Sequence, residues 1–296
     1  MGWLENACSC APSAAPRVGL FAVRDLNFAA TSARGRMIRC EGCGALYPDW
    51  FLAGAAASAA YDGYYTATGR RGAWRGWTRR LANRARRAYL DRAMPARARR
   101  ILDYGCGAGD YLARFAERDC YGVDPFAPRH GAAPFAWLEA GDIAAAAPFD
   151  WITMGHVLEH LTDPSAALAH LAGALAPGGG LWIATPNADS FLFTAAGPWA
   201  RDIDFPRHRE VFSRRGLERL AAKAGLTCQF ISPPRLNAAL NAAATARNIV
   251  ADGQAGGLAR ARALLATLLG LARHLARPKA TRDRDAPELI AVCRLR

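Results

Sequence analysis

The sequence predicts an α/β protein whose core is a seven-stranded, doubly wound sheet with helices on both faces. Seven short apolar runs alternate with helical patterns and turn signals, which is typical of an α/β sheet. A glycine-rich turn follows the first run, as expected where such a sheet brings its backbone close to a ligand. The runs cover residues 100–104, 120–124, 135–139, 149–155, 180–185, 227–232 and 288–294.

Length and charge narrow the class of protein. The chain has 296 residues, 52% of them hydrophobic, which excludes a fibrous chain, a disordered tail and a mini-protein. The net charge of +13 comes almost entirely from arginine, and residues 70–100 hold twelve arginines against one acid, Asp91. We therefore favour a nearly neutral enzyme with one basic segment over a globally basic nucleic-acid-binding protein.

Residues 1–50 are predicted to form a small zinc-binding module. Two close cysteine pairs, Cys8 with Cys10 and Cys40 with Cys43, suit tetrahedral zinc held at two turns. A four-cysteine site leaves no open coordination position, so the zinc would be structural. The first pair has only one intervening residue, and a metal-free remnant of such a module is the alternative.

Residues 51–98 are predicted to form a helical, arginine-rich linker or cap. Apolar residues recur at helical spacing on one face, and most arginines lie elsewhere on the helix. This face either packs on the following domain or leaves the arginines to contact an anionic partner, such as a phosphorylated substrate or a lipid surface. Nucleic acid is the least favoured partner. The apolar face consists of Trp74, Trp77, Leu81, Ala85 and Ala88.

Residues 99–296 are predicted to form the sheet domain. One helix should begin at Asp163-Pro164 and stop at Gly178, and another should be capped by Ser213 and close at Gly225. Residues 235–286 form a helical insertion before the last strand. Its leucine-rich part, 258–275, either caps the substrate cleft or rests on a membrane.

No apolar run reaches the length of a membrane span, and the first ten residues lack the pattern of a secretory signal. We therefore expect a cytoplasmic protein, with peripheral contact to an anionic membrane or a lipid-linked substrate as an open alternative. In a reducing compartment the eight cysteines are expected to be metal ligands or buried apolar residues instead of disulfides.

The glycine-rich turn contains Gly105, Gly107 and Gly109, with acids on either side at Asp103 and Asp110. A dinucleotide-binding loop requires glycine where Asp110 stands, and two carboxylates would repel a pyrophosphate. A P-loop is excluded because no Gly-Lys-Ser or Gly-Lys-Thr follows. The acids favour a ligand that carries an ammonium and a sulfonium group over a nicotinamide dinucleotide.

Two further acids follow the next strands. Asp124 ends the second predicted strand, where a carboxylate can accept both ribose hydroxyls of a nucleoside. Asp142, with Ile143, follows the third strand and offers an acceptor for an adenine amino group. Three acids in register at consecutive strand ends predict one nucleoside-containing ligand.

These motifs resemble the class I S-adenosylmethionine-dependent methyltransferases over residues 60–230 and again in the last strand. The resemblance implies a Rossmann-like domain in which Gly105, Gly107 and Gly109 approach the methionine part of the cofactor. It also implies that Asp103 orients the amino end, that Asp124 holds the ribose, and that Asp142 with Ile143 borders the adenine. The cysteine pairs resemble the zinc-ribbon-like module found ahead of this core in bacterial relatives. The matching segments are ILDYGCGAG at 101–109, YGVD at 121–124, GD at 141–142, FDWITMGHVLEHLTDP at 149–164, LAPGGGLWIATPN at 175–187 and PRHREVF at 206–212.

Three histidines are candidates for the general base of methyl transfer: His156, His160 and His208. His160 has a structural alternative at the start of a helix, His156 can equally pack, and His208, between Arg207 and Arg209, can belong to a solvated basic loop or to an anion site. The favoured function is methyl transfer to a sugar, polyketide-like or quinone-like acceptor. An RNA-directed methyltransferase, or a nucleic-acid-binding protein with a vestigial core, is the alternative, and an NAD-dependent oxidoreductase is less favoured.

Overall fold

The structure is a computed structural model, which describes residues 3–9, 16–27, 31–52, 56, 90–127 and 133–296. Most of the predicted arginine-rich helix therefore lies outside the described residues. The chain divides into two compact units. Unit 1 contains residues 1–82, 186–216 and 232–289, and unit 2 contains residues 83–185, 217–231 and 290–296. The predicted domains, residues 1–50, 51–98 and 99–296, have other boundaries than these two units, and they stay predictions.

All seven predicted strands are present and form a single seven-stranded sheet, so the predicted fold class is confirmed. The strands are β6 (Arg100–Tyr104), β7 (Asp119–Val123), β8 (Ala136–Trp137), β9 (Phe149–Gly155), β10 (Leu175–Pro186), β11 (Leu226–Ile231) and β12 (Glu288–Leu295). Their spatial order is β11-β12-β10-β9-β6-β7-β8, so that β7 and β8 lie on one side of β6 and the later strands lie on the other. The pairs β10/β9, β9/β6, β6/β7 and β7/β8 are parallel, and β11/β12 is antiparallel.

This order positions the ligand-binding edge of the sheet. Doubly wound folds bind ligands outside the carboxyl ends of the strands where the strand order reverses, which in this sheet is between β6 and β9. Most residues of these two strands are buried, as is typical of central parallel strands. Ile101, Trp151 and Trp182 are almost completely buried in one core cluster.

The helices largely follow the predicted caps. The Asp163 carboxylate accepts a hydrogen bond from the Ala166 amide at 2.9 Å, and the Ser213 hydroxyl accepts one from the Gly216 amide at 2.9 Å. The first of these helices ends at Gly173 and not at the predicted Gly178, because pairing with β9 already begins at Leu175. The helices are α1 (Ile143–Ala146), α2 (Pro164–Gly173), α3 (Phe191–Ala196), α4 (Arg214–Lys223), α5 (Arg235–Ala251), α6 (Gly257–Ala276) and α7 (Lys279–Arg282).

The amino-terminal part of the chain forms two small antiparallel sheets in unit 1. Strand β1 (Trp3–Glu5) pairs with β5 (Trp50–Leu52), and β2 (Arg17–Arg24), β3 (Arg34–Cys40) and β4 (Leu46–Pro48) form the other sheet. Met37 and Leu46 pack in one cluster with Phe205 and Val211 from the segment that follows β10. The helical insertion, confirmed as α5, α6 and α7, belongs to the same unit.

One cysteine pair departs from the expectation of reduced cysteines. Cys228 in β11 and Cys293 in β12 lie directly opposite each other in the antiparallel register and form a disulfide. Their separation of 65 residues left no local pattern that predicts the pairing. Among the described residues, no helix combines the length and apolar character that crossing a membrane requires.

Candidate active site

The glycine loop connects β6 to a 3-10 turn at Leu112–Phe115, and its three glycines all have positive φ: 85° at Gly105, 56° at Gly107 and 80° at Gly109. A Cβ at Gly105 would lie 2.1 Å from Val157, and one at Gly109 would lie 2.0 Å from Phe135. A Cβ at Gly107 would meet no atom within 4 Å. The loop therefore packs tightly at both ends and leaves its backbone open at Gly107.

Asp124, directly after β7, is tied to this loop. Its Oδ2 accepts a hydrogen bond from the Gly107 amide at 2.9 Å, and its Oδ1 accepts bonds from the Phe126 and Ala127 amides at 2.9 Å. These bonds fix the carboxylate beside the open part of the loop. A carboxylate held this way can accept further hydrogen bonds, because its two oxygens offer about four lone-pair positions.

Asp103 of β6 lies almost completely buried beside β9. Its Oδ1 accepts a hydrogen bond from the Thr153 hydroxyl at 2.6 Å. Burial raises the pKa of Asp103 to about 6; the Thr153 hydrogen bond lowers the pKa in part, and the charge of Asp124 raises it. A cationic ligand group placed beside this carboxylate would favour its ionised form and lower its pKa.

Asp142 and Ile143 differ in exposure. Asp142 ends a 3-10 turn at Ala140–Asp142 and is exposed, whereas Ile143 begins α1 and has no exposed surface. The Ile143 side chain therefore belongs to the core in this structure. The adenine-bordering role of these two residues stays a prediction.

His156 follows β9 immediately and is held by a buried glutamate. Its φ of 59° is rare for a residue other than glycine, and such conformations concentrate at functional sites. Its Nδ1 lies 3.2 Å from Oε1 of Glu159, which has no exposed surface. The other glutamate oxygen accepts a hydrogen bond from the Thr185 hydroxyl at 2.9 Å. This contact with Glu159 restricts the orientation of the His156 ring, and a catalytic role for His156 stays a prediction.

The other two candidate histidines have different surroundings. His160 ends a 3-10 turn at Leu158–His160 in unit 2 and is half-buried. His208 lies in unit 1, where its Nδ1 is 2.8 Å from the Asp202 carbonyl oxygen and therefore carries the hydrogen of that bond. His156 differs from them in having the buried Glu159 carboxylate on its own turn, three residues along the chain.

Arg207 takes part in neither a solvated loop nor an open anion site. Its guanidinium is fully buried and forms ion pairs with Asp25 at 2.6 Å and Asp204 at 2.9 Å. Two carboxylates of the chain therefore occupy donors of Arg207, and the placing of His208 in an anion site stays a prediction.

Sequence reasoning missed the residues that position the predicted ones. Thr153 and Thr185 had no signal of their own, since threonine is common in strands. Glu159 had one signal, since it stands three residues after His156, the spacing at which side chains meet on one turn.

The predicted zinc ligands lie together in unit 1 as far as they are described. The Sγ atoms of Cys8, Cys40 and Cys43 are all within 4.8 Å of one another, and all three residues are buried. Cys10 lies outside the described residues. Glu210 borders the group: its Oε1 accepts a hydrogen bond from the Cys8 thiol at 3.3 Å, and its Oε2 accepts one from the Ser9 amide at 3.0 Å.

Comparisons with known proteins identify the family of the chain. The family described as a methyltransferase domain matches residues 69–229, more than half of the chain. An uncharacterised methyltransferase of Mycobacterium tuberculosis is 37% identical over 110 residues, which cover 33% of this chain and 56% of that protein. The ubiquinone biosynthesis O-methyltransferase of Marinobacter nauticus is 30% identical over 134 residues, which cover 39% of this chain and 56% of that protein. The chain thus spans little more than half the length of these relatives.

Among solved structures, a SAM-dependent methyltransferase from Thermotoga maritima aligns with a TM-score of 0.45 at 20% identity. The alignment covers 59% of this chain and 85% of that one.

Proposed function

The chain belongs to the class I S-adenosylmethionine-dependent methyltransferases, and from this premise we propose that it methylates a small-molecule acceptor. The observation that carries the proposal is the hydrogen bond from the Gly107 amide to Asp124, which joins the open part of the glycine loop to a carboxylate. At this point a ligand can come close to the backbone of the loop, and the Asp124 carboxylate can accept hydrogen bonds from the ligand's hydroxyl groups. A nucleoside-containing ligand needs both.

The described residues fit the cofactor. Asp124 would hold the ribose hydroxyls, Gly107 would leave space for the chain of the methionine part, and Asp103 would pair with its ammonium group. Asp103 and Asp124 add negative charge where S-adenosylmethionine carries two cationic groups. The same charges disfavour a pyrophosphate, so an NAD-dependent oxidoreductase is not proposed.

When bound, S-adenosylmethionine supplies a methyl group on a sulfonium, which is already a good leaving group. The protein then has to align an acceptor with that group and remove a proton where the acceptor carries one. We assign the second task to His156, because Glu159 orients its ring and balances the charge it gains on protonation. Glu159 is a positioning residue in this scheme.

The proposed acceptor is a sugar, polyketide-like or quinone-like molecule. One relative is named for O-methylation in ubiquinone biosynthesis, which fits the quinone-like part of this range. An acceptor hydroxyl must lose its proton, so a histidine base suits it. RNA remains the alternative acceptor, and the clustered arginines at residues 70–100 are the feature that favours it.

Calorimetry tests the cofactor assignment. The wild-type chain should bind S-adenosylmethionine and S-adenosylhomocysteine and should not bind NAD. Asp124→Ala should weaken the binding of both by at least about tenfold, because it removes a charged acceptor. Asp119→Ala, at the opposite end of β7 with an exposed carboxylate, is the matched control and should bind normally. Absence of binding to both S-adenosylmethionine and S-adenosylhomocysteine would refute the proposed function.

Transfer of isotope-labelled methyl groups to acceptors in a cell extract tests the histidine assignment. His156→Gln should reduce the initial rate by about a hundredfold or more, which is the usual contribution of a general base. Glu159→Gln should reduce it less, without weakening cofactor binding. A large loss in His160→Gln or His208→Gln, with His156→Gln unaffected, would instead assign the base to one of those residues.

We also propose a structural zinc ion held by Cys8, Cys40 and Cys43, with Cys10 as the fourth ligand. Tetrahedral coordination at about 2.3 Å separates two sulfurs by about 3.8 Å, which agrees with three sulfurs lying within 4.8 Å of one another. Three buried sulfurs beside a buried carboxylate also fit a divalent cation, because thiolates there would otherwise repel one another.

Elemental analysis of the purified chain tests the zinc site. About one zinc per chain is expected, with loss of the metal and a lower melting temperature in Cys40→Ser. Cys120→Ser, which changes a buried cysteine of β7, should keep the metal. A metal-free wild-type chain that keeps the same melting temperature in a chelator would show that the cysteines are a remnant.

A further inference from the structure

Helix α6 exposes a stripe of leucines. Leu258 is 68% exposed, Leu265 59%, Leu268 60% and Leu269 46%. Leu275, near the end of the helix, is 38% exposed. Single exposed leucines are ordinary, but several on one helix face form the kind of apolar patch that marks an interaction surface.

Contacts on the opposite face fix this orientation. Ala263, Thr267 and His274 are buried at spacings of four and seven residues. The His274 ring stacks on Phe191 with centroids 4.8 Å apart, and its Nδ1 lies 2.8 Å from Asp285. Because α6 is packed along this face within unit 1, the leucines lie on the side turned to solvent.

The charges on α6 are all positive. Its twenty residues contain Arg260, Arg262 and Arg273 and no acid. Arg262 and Arg273 are exposed, and they stand three residues before Leu265 and four after Leu269, so both border the leucine stripe. Apolar residues bordered by arginines are typical of helices that lie in a membrane interface.

We propose that α6 lies along the surface of an anionic lipid bilayer. The leucines enter the boundary between head groups and acyl chains, and Arg262 and Arg273 contact lipid phosphates. A second copy of the chain fits this face less well. Antiparallel pairing of two α6 helices through the leucines would bring Arg262 of one close to Arg273 of the other, with no acid in either helix to balance them.

Sedimentation of the full chain with lipid vesicles at low salt tests this proposal. The chain should bind vesicles of phosphatidylcholine mixed with phosphatidylglycerol and should bind pure phosphatidylcholine far more weakly. The double variant Leu265→Gln/Leu268→Gln should lower the partition coefficient on the order of a hundredfold. Arg262→Gln/Arg273→Gln should lower it about fivefold per arginine and reduce its salt dependence.

Leu295→Gln is the matched control, because Leu295 is 47% exposed and belongs to β12. It should bind vesicles as the wild type does. All variants should keep the wild-type melting temperature, since the changed residues are exposed. The proposal is overturned if the wild type does not sediment with anionic vesicles, or if the leucine variant sediments equally well. A wild-type dimer that the leucine variant converts to monomer, without vesicle binding, would assign the face to a second copy.

Discussion

Asp103 lies almost completely buried on β6, with the Thr153 hydroxyl as hydrogen-bond donor at 2.6 Å. Its environment disfavours the ionised form, so its pKa rises to about 6 in the folded chain. When folding raises the pKa of a carboxyl group, the group's favourable contribution to stability is fully present below its unfolded pKa, which is near 4 for aspartate. That contribution is lost as the pH rises through about 6. In the proposed function, this buried charge is kept because the cofactor's ammonium group would neutralise it.

Asp103→Asn should abolish this pH effect, because the amide does not ionise. Without cofactor, the variant should gain about 2 to 3 kcal/mol of unfolding free energy relative to the wild type between about pH 4 and about pH 7. Urea denaturation at both pH values measures the difference. The control Asp119→Asn removes an exposed carboxylate and should change the unfolding free energy by less than about 0.5 kcal/mol. A constant difference between Asp103→Asn and wild type across this range would contradict the assignment.

In the glycine loop, packing requires two of the glycines, and the proposed ligand requires the third. Gly105 and Gly109 face side chains that leave no space for a Cβ, whereas Gly107 faces open space. All three have positive φ, which glycine adopts without strain. The positions that look equivalent in the motif therefore differ in what a substitution would disturb.

Gly107→Ala should weaken cofactor binding more than it destabilises the fold. We expect a loss of about 1 kcal/mol of unfolding free energy from the positive φ, and more than about tenfold weaker binding because the methyl group occupies the open space. Thermal unfolding and calorimetry on the same sample measure both. Gly225→Ala is the matched control, because Gly225 also has a positive φ, 73°, and a Cβ there meets no atom within 4 Å; it should lose a similar unfolding free energy and bind the cofactor as the wild type does. Equal affinity in Gly107→Ala and wild type would show that the ligand does not approach this residue.

A buried cluster of charged side chains connects segments of unit 1 that are far apart in the sequence. Asp25 follows β2, whereas Asp204 and Arg207 follow β10, and the hydrogen bond between Arg207 and Asp25 spans 182 residues. Burial alone would raise the pKa of Asp204, but the Arg207 guanidinium lowers it to about 2. The stability that Asp204 contributes is therefore present above about pH 4 and is lost as the pH falls through about 2.

Arg207→Gln should destabilise the fold strongly. Removing the guanidinium leaves two buried carboxylates without their cation, which costs about 3 to 5 kcal/mol. Chemical denaturation measures the change. Arg39→Gln is the control, because Arg39 and its partner Asp189 are both 40% exposed, and it should cost less than about 1 kcal/mol. Similar losses in the two variants would mean that Arg207 acts as an ordinary surface arginine.

The strands and caps were predictable because their signals are local. Each predicted strand is a short apolar run bounded by turn residues, and the Asp163 and Ser213 caps depend on neighbours within three residues. The end of α2 was misplaced at Gly178, since glycine is typical both of helix ends and of irregular strands. For the site, the acids were predictable from their positions at strand ends, but the groups that hold them were not.

Local sequence patterns were enough to predict the order of the strands along the chain, the glycine loop and the positions of the acids that follow the strands. Each of these features depends on residues only a few positions apart. The tertiary structure decided that Thr185 donates a hydrogen bond to the buried Glu159, that Arg207 pairs with Asp25, and that Cys228 forms a disulfide with Cys293. It also decided which face of α6 is exposed. Burial and contacts between residues far apart in the sequence arise only when separate segments pack, so no local spacing predicts them.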